Sequence, residues 1–143
     1  MSGLVIRHLK LSDKHQFLEV LSDLTDIGIV EGDIFFNTFS KLTTNPDHHI
    51  LVCLIDDRVV GTATVLVRPT FIHSCRPVAH IEEVVTLKQF EGLGIATSLM
   101  REMEKIAAKR GCYKCILSCS EQNRDFYKKL GYHLHEDTMR KDF

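Results

Sequence analysis

The spacing of hydrophobic residues changes period several times along the chain, and each change predicts a new element. Apolar residues three and four positions apart, as in Leu99, Met103 and Ile106, predict helices, whereas short runs rich in β-branched residues and bounded by turns predict strands. The predicted elements are strand 4–7, helices 14–24 and 33–42, strands 49–55, 59–67 and 80–85, helix 95–110, strand 113–119, helix 123–130 and strand 132–140. Gly61, inside a predicted strand, marks a candidate bulge.

This order of elements predicts a mixed α/β domain. Part of its sheet is antiparallel, helices flank the sheet, and a strand–loop–helix–strand unit lies at its centre. We find no internal repeat, low-complexity tract or linker, so we expect residues 1–143 to form a single domain.

Composition narrows the classes of function. The chain is 44% hydrophobic with a net charge of −1, which is globular composition without the basic excess that nucleic-acid binding favours. No apolar run approaches the ~20 residues of a membrane span, and the first residues are too polar for a secretory signal. We therefore expect a soluble, cytoplasmic protein with no membrane or nucleic-acid partner.

The chain has five cysteines, an odd number that does not suit a disulfide scaffold. Three of them form the run Cys112-x-x-Cys115-x-x-x-Cys119, and thiols and imidazoles are metal-ligand types. Zinc sites usually bring two tight pairs together, which this spacing does not do. Reduced, buried thiols explain the run better, so we expect no metal. A non-catalytic module that binds metal through its thiols remains the alternative. Its further ligands would be His73, Cys75, His133 and His135.

A glycine-containing loop precedes the longest predicted helix. Its residues are Gln89, Phe90, Glu91, Gly92, Leu93 and Gly94. The free N–H groups at the start of a helix bind anions, and glycines let the backbone approach a ligand, so this loop suits a pyrophosphate. By itself the loop is equally compatible with a plain strand-to-helix turn.

Two further positions carry candidate chemistry. Glu82 and Glu83 end the strand before the loop, and neighbouring strand residues point to opposite faces, so one carboxylate is expected to face a cleft and the other to face away. A solvated pair is the alternative. Tyr127, on the last predicted helix, is a candidate proton donor or simply part of an amphipathic helix.

Taken in order, these segments resemble the GNAT superfamily of acyl-CoA-dependent N-acetyltransferases, whose loop reads Gln/Arg-x-x-Gly-x-Gly/Ala. Within it the chain resembles the glucosamine 6-phosphate N-acetyltransferase family over nearly its full length. The matching strings are Leu24-Thr25-Asp26-Ile27-Gly28, Phe71-Ile72-His73-Ser74-Cys75, Ile81-Glu82-Glu83-Val84-Val85, Cys112-Tyr113-Lys114 and Asn123 with Phe126-Tyr127-Lys128-Lys129-Leu130-Gly131-Tyr132.

The resemblance implies acetyl transfer from acetyl-CoA to the amine of glucosamine 6-phosphate, a step towards UDP-N-acetylglucosamine, without an acyl-enzyme. Glu82 or Glu83 would orient or deprotonate the amine, and Tyr127 would support the departing thiolate. Backbone N–H groups near Val84 would steady the carbonyl oxygen. The implied CoA contacts are Val84, Val85 and Thr86 with the pantetheine arm, Gln89 to Gly94 with the pyrophosphate, and Asn123, Phe126 and Tyr127.

For the sugar phosphate, the resemblance implies contacts from Thr25, Phe71, Ile72, His73, Glu82, Glu83, Ser118 and Arg140. It also implies an intertwined homodimer in which Arg140 serves the neighbouring subunit.

The chain departs from the family at several positions. Glu83 replaces an aspartate, Ser118 stands where an acid is expected, and Thr70 stands where a lysine is expected. The stretch between Val85 and the glycine loop also looks one or two residues short. The changes at Thr70 and Ser118 keep another acceptor open, namely a different amino sugar, a polyamine or a peptide amine.

Overall fold

The computed structural model describes residues 3–143, which form a five-stranded sheet with helices packed against it. The elements are β1 (Leu4–His8), α1 (Lys14–Ser22), α2 (Gly32–Thr43), β2 (His48–Ile55), β3 (Arg58–Arg68), α3 (Ile72–Cys75), β4 (Val78–Thr86), α4 (Ile95–Lys109), β5 (Lys114–Leu117) and α5 (Arg124–Lys129). Within these described residues, no helix combines the length and apolarity that a membrane crossing requires.

The strands lie in the order in which they occur along the chain, β1-β2-β3-β4-β5. The first three pairs are antiparallel, and β4 and β5 are parallel because α4 connects them. Residues 59–65 of β3 are all buried, as expected for a central strand covered on both faces. The prediction of a mixed sheet with a strand–helix–strand unit at its centre is confirmed.

One predicted element is wrong. Strand 132–140 does not form, and residues 133–143 contain neither helix nor strand. A strand needs a neighbour for its backbone hydrogen bonds, and the adjacent β5 is only four residues long, shorter than the predicted 113–119. The connection between β3 and β4 contains α3, a single turn in which His73, Ser74 and Cys75 have positive φ.

Two bulges interrupt the sheet. On β3, Gly61 pairs with Cys53 and Val59 with Leu54, so the extra residue lies immediately before Gly61 and the bulge predicted there is confirmed. On β4, Glu82 pairs with Thr64 and Val85 with Thr62, which leaves two β4 residues opposite one β3 residue.

Gly61 also sets how closely α4 approaches the sheet. A methyl group at this position would lie 2.9 Å from Ile95 Cγ2, 3.3 Å from Leu99 Cδ1 and 3.3 Å from the Val85 carbonyl oxygen. Ile95 and Leu99 are themselves buried in the first turns of α4. The bare backbone of β3 therefore fixes the position of the helix start.

We expect Gly61→Ala to lower the free energy of unfolding by about 1–3 kcal/mol, the usual cost of overpacking a core. The measurement is urea unfolding followed by circular dichroism. Ile95→Ala removes the methyl group that would clash. It should therefore lower the free energy of unfolding less in the Gly61→Ala background than in the parent protein. Simple additivity of the two changes would contradict this view of the contact.

Candidate active site

The parallel pair β4 and β5 separates partway along its length. Their pairing runs from Val78 opposite Lys114 to Ile81 opposite Leu117, and β5 ends there. Residues 82–86 of β4 continue without a partner from β5, which leaves an open backbone edge. A smaller cavity of about 520 Å³ and a larger one of about 1220 Å³ lie beside this opening, and Tyr127 lines both.

The smaller cavity lies between the open edge of β4, the start of α4 and α5. Of the residues predicted to contact CoA, those that line it are Val84, Val85, Thr86, Phe90, Glu91, Gly92, Gly94, Asn123, Phe126 and Tyr127. Gln89 and Leu93 do not. The residues that the sequence reasoning missed are Asp23, Leu24, Lys88, Ile95, Ala96 and Thr97.

The anion-binding groups of this cavity are the free amides at the start of α4. Gly94 takes φ 80° as the N-cap, and the first helical hydrogen bond joins the Ser98 N–H to the Gly94 carbonyl at 3.0 Å. The N–H groups of residues 95–97 therefore have no partner within the helix. Together with the positive end of the helix dipole, they suit a phosphate or pyrophosphate.

The lining of the smaller cavity favours a loop pattern that is shifted by two residues. The family pattern, moved to start at Glu91, places Gly94 and Ala96 at its second and third fixed positions, and both line the cavity. Glu91 then stands where the family has Gln or Arg. With this shift, the stretch between Val85 and the loop no longer looks shorter than in the family. In the sequence alone, the match that starts at Gln89 satisfies all three fixed positions, which is why the shifted register was not predicted.

Two other features of the smaller cavity bear on ligand binding. The Thr86 hydroxyl is buried without a hydrogen-bond partner among the described residues, so a bound ligand would relieve an unsatisfied polar group. Asp23 reaches the cavity from the end of α1, and its carboxylate accepts a hydrogen bond from the Lys88 N–H at 3.1 Å. These residues lie 65 positions apart, so no sequence spacing signals this contact.

Glu82 and Glu83 both line the larger cavity, which contradicts the expectation that they point to opposite faces. The physical reason is the bulge on β4, where Glu83 adopts φ 54° and the strand alternation breaks. Although Glu83 as a residue is exposed, its carboxyl is partly desolvated. That desolvation raises the pKa of Glu83, and the negative charge of Glu82 raises it further. His48 has a smaller, opposing effect.

Tyr127 is buried between the two cavities. Its ring meets the edge of Phe126, with centroids 4.9 Å apart, and the ring of Tyr132, with centroids 6.0 Å apart. Burial, assisted by the nearby Cys119, raises the pKa of Tyr127, so its hydroxyl stays protonated at neutral pH. A protonated hydroxyl at this junction can donate a hydrogen bond to a group in either cavity.

Several residues predicted to bind the acceptor do not line either cavity. They are Thr25, Phe71, Ile72, His73 and Arg140. Phe71 is 95% exposed, the His73 ring stacks on Tyr113 with centroids 4.0 Å apart, and Arg140 donates to Asp142 at 2.7 Å. Ser118 does line the larger cavity, and its hydroxyl lies 2.9 Å from the Thr138 hydroxyl.

Three cationic side chains of the larger cavity had no predicted role, namely Lys114, Arg124 and Lys128. Lys114 and Lys128 stand within strings that match the family, whereas Arg124 carried no distinguishing signal. His80 also lines this cavity and lies 3.3 Å from Arg68 Nε. Burial and the charge of Arg68 lower the pKa of His80, so its ring tends to be neutral.

Residues 3–143 offer no cluster of three or more His, Cys, Asp or Glu side chains that would hold a metal ion. All five cysteines are free thiols. Burial raises the pKa of Cys53 and of Cys115 to about 11, which keeps both as neutral thiols. A metal-binding module built on the Cys112–Cys119 run therefore has no ligand set in the described part of the chain.

Comparison with known proteins agrees with this geometry. The Acetyltransferase (GNAT) family pattern matches residues 16–132. The glucosamine 6-phosphate N-acetyltransferase of Trypanosoma brucei brucei is 34% identical over 140 residues, which are 97% of this chain and 95% of the relative. That of Candida albicans is 34% identical over 133 residues, covering 91% and 89%. The crystal structure of the Arabidopsis thaliana enzyme of that name superposes with a TM-score of 0.94 at 32% identity, covering 98% of each chain.

We expect Glu83→Gln to raise the melting temperature at pH 7.5. A carboxyl whose pKa is raised in the folded state favours folding while protonated, and this contribution is lost as pH rises through the folded-state pKa. The gain should therefore shrink towards zero near pH 4, where the carboxyl of the parent protein is protonated. Differential scanning calorimetry across this range measures it, with Glu82→Gln as a comparison. A lower melting temperature of Glu83→Gln at pH 7.5 would contradict a raised pKa of Glu83 in the folded state.

Proposed function

Because this chain belongs to the acetyltransferase (GNAT) family, we propose that it transfers the acetyl group of acetyl-CoA to the amine of glucosamine 6-phosphate. A carbon–nitrogen bond forms, the thioester carbon–sulfur bond breaks, and the products are N-acetylglucosamine 6-phosphate and CoA. The observation that carries the proposal is the smaller cavity, where the open edge of β4 meets the free amides of α4.

The smaller cavity is the proposed CoA site. The edge at Val84, Val85 and Thr86 offers backbone groups with which the amides of the pantetheine arm can pair as an added strand does. The free amides of residues 95–97 would hold the pyrophosphate, with Gly92 and Gly94 allowing close approach. The remaining contacts proposed along the cofactor are Phe90, Asn123 and Phe126. The unpartnered Thr86 hydroxyl supports a polar ligand at this edge.

The larger cavity is the proposed acceptor site, and its carboxylates would manage the proton of the amine. An amine attacks the thioester only after it loses a proton, and Glu82 or Glu83 would accept that proton directly or through a water. The raised pKa of Glu83 makes its carboxylate a stronger base than an ordinary glutamate. Backbone N–H groups near Val84 would stabilise the negative charge that develops on the carbonyl oxygen.

Tyr127 is the proposed proton donor to the departing CoA sulfur. It lines both cavities, so it can reach the junction where the thioester of one substrate meets the amine of the other. A thiol with an ordinary pKa of roughly 8.5 is a good leaving group, so a single hydrogen bond is sufficient assistance.

The phosphate of the acceptor needs cations, and Lys114, Arg124 and Lys128 line the larger cavity. Arg140 and residues 71–73 lie outside the cavities of a single chain. We propose that they act across an intertwined homodimer, in which residues 133–143 find in a second copy the strand partner they lack here. The exposure of Phe71, at 95%, and of Arg140 supports this proposal.

A different acceptor is the second candidate. Ser118 lines the larger cavity where the family carries an acid, and its hydroxyl lies within hydrogen-bond distance of Thr138. A weaker contact to the sugar would permit another amine to compete. This alternative keeps the CoA site and the chemistry unchanged.

Product formation tests the reaction and the acceptor together. The protein is mixed with acetyl-CoA and an acceptor, and the acetylated product is detected by mass spectrometry. We expect rapid acetylation of glucosamine 6-phosphate and little of glucosamine, because only the phosphate engages the cations of the larger cavity. If a polyamine or a peptide amine is acetylated faster, that amine and not the sugar phosphate is the substrate. Absence of product with every acceptor, without stabilisation by acetyl-CoA, would contradict the family-level activity.

Glu91 lines the cavity that holds the proposed pyrophosphate site. We expect Glu91→Gln to tighten acetyl-CoA binding about two- to fivefold, the scale of a single charge near a helix terminus. The gain should fall as salt is raised, because ions screen the repulsion. Isothermal titration calorimetry measures both effects. Gln89→Ala is the matched control, since Gln89 does not line the cavity, and an equal gain there would refute the shifted loop pattern.

A further inference from the structure

We propose that Glu104 is a positioning residue for the reaction, because it holds Tyr132 and thereby fixes the ring of Tyr127 at the junction of the two cavities. The inference rests on the proposed function, in which Tyr127 donates a proton to the departing sulfur. Glu104 lies on α4 and Tyr132 lies just beyond α5, so their contact joins two elements that meet at the site.

The contact between Glu104 and Tyr132 is a strong hydrogen bond. The Tyr132 hydroxyl donates to Glu104 Oε2 at 2.7 Å in a partly buried setting. Burial and this hydrogen bond both raise the pKa of Tyr132. The hydroxyl therefore remains a donor throughout the pH range in which the enzyme would work.

Tyr132 transmits this restraint to Tyr127 through ring packing. The two rings meet edge to face, at 74° with centroids 6.0 Å apart, and Phe126 meets Tyr127 at 76° and 4.9 Å. The Tyr132 N–H also donates to the Tyr127 carbonyl at 3.0 Å. Tyr127 is thus packed between two aromatic rings, one of which is fixed by Glu104.

The anchor matters because α5 has only six residues. A helix of that length has little stability of its own and depends on tertiary contacts. Glu104 connects it to the fifteen-residue α4, whose first turn supplies the free amides of the smaller cavity. Glu104 lies about 10–14 Å along the helix from those amides, so its loss should disturb Tyr127 and leave the proposed pyrophosphate contacts intact.

The expected signature is a loss of kcat with little change in acetyl-CoA affinity. A hydrogen bond to the departing sulfur acts in the transition state, so a loosened Tyr127 ring affects that step and not ground-state binding. We expect Glu104→Ala to lower kcat about three- to tenfold, below the roughly 10²-fold that a 1 Å misplacement can cost. Tyr132→Phe keeps the ring but removes the hydroxyl, and should show the same loss. Glu104→Gln keeps an acceptor and should recover most of the activity.

A double-mutant cycle with Tyr127→Phe separates positioning from a general loss of stability. Tyr127→Phe should lower kcat by itself, and Glu104→Ala should then cost little more in that background. Glu102→Ala is the matched control, because Glu102 lies on the same helix and contacts Lys105 at the surface. It should leave kcat unchanged. Kinetics by mass spectrometry and acetyl-CoA titration of each folded variant supply the numbers.

The possible outcomes separate the proposed role of Tyr127 from the proposed role of Glu104. If Tyr127→Phe keeps full kcat, the proposed role of Tyr127 fails, and the role of Glu104 fails with it. If Tyr127→Phe loses activity but Glu104→Ala lowers kcat by the same factor in both backgrounds, only the positioning role is overturned. An equal loss in the Glu102→Ala control, or a matching loss of acetyl-CoA affinity in Glu104→Ala, would also overturn it.

Discussion

The separation of β4 from β5 after Ile81 is the constraint on which the rest of the site depends. Parallel neighbours normally exchange hydrogen bonds along their whole length, so a strand edge that opens partway along the pair exposes backbone groups that need partners. The bulge at residues 83 and 84 bends β4 at this point, and β5 stops after four residues. A ligand with its own amide groups can then complete the sheet where protein does not.

The position of α4 turns this opening into a binding site. The helix follows the open strand after the connection 87–94, and Gly61 allows its first turn to lie against β3. The free amides of residues 95–97 therefore face the same space as the β4 edge. A pantetheine arm and a pyrophosphate are joined covalently in CoA, so a site for that molecule requires both surfaces in one cavity.

Much of the fold was predictable from hydrophobic periodicity, because both the helices and the strands of the core repeat with their own period. Prediction failed where pairing decides the outcome: residues 132–140 were predicted as a strand but have no strand neighbour within residues 3–143. The expectation that Glu82 and Glu83 point to opposite faces was wrong for a related reason. A positive φ at Glu83 breaks the strand alternation, and no sequence rule predicts a positive φ at a glutamate. The loop was recognised by its glycines, whereas its alignment needed the start of α4.

Both cavities hold charged residues of both signs, and the placement of particular groups orients the proposed reaction. The free amides of α4 give the smaller cavity its positive end, which suits the phosphates of CoA. Glu82 and Glu83 line the larger cavity, where a cationic amine would be drawn in and would lose its proton. In the proposed mechanism the neutral thioester would lie between them, beside the protonated Tyr127. Because Tyr127 lines both cavities, its placement would couple the two substrates, and the contacts that hold its ring would support its hydroxyl.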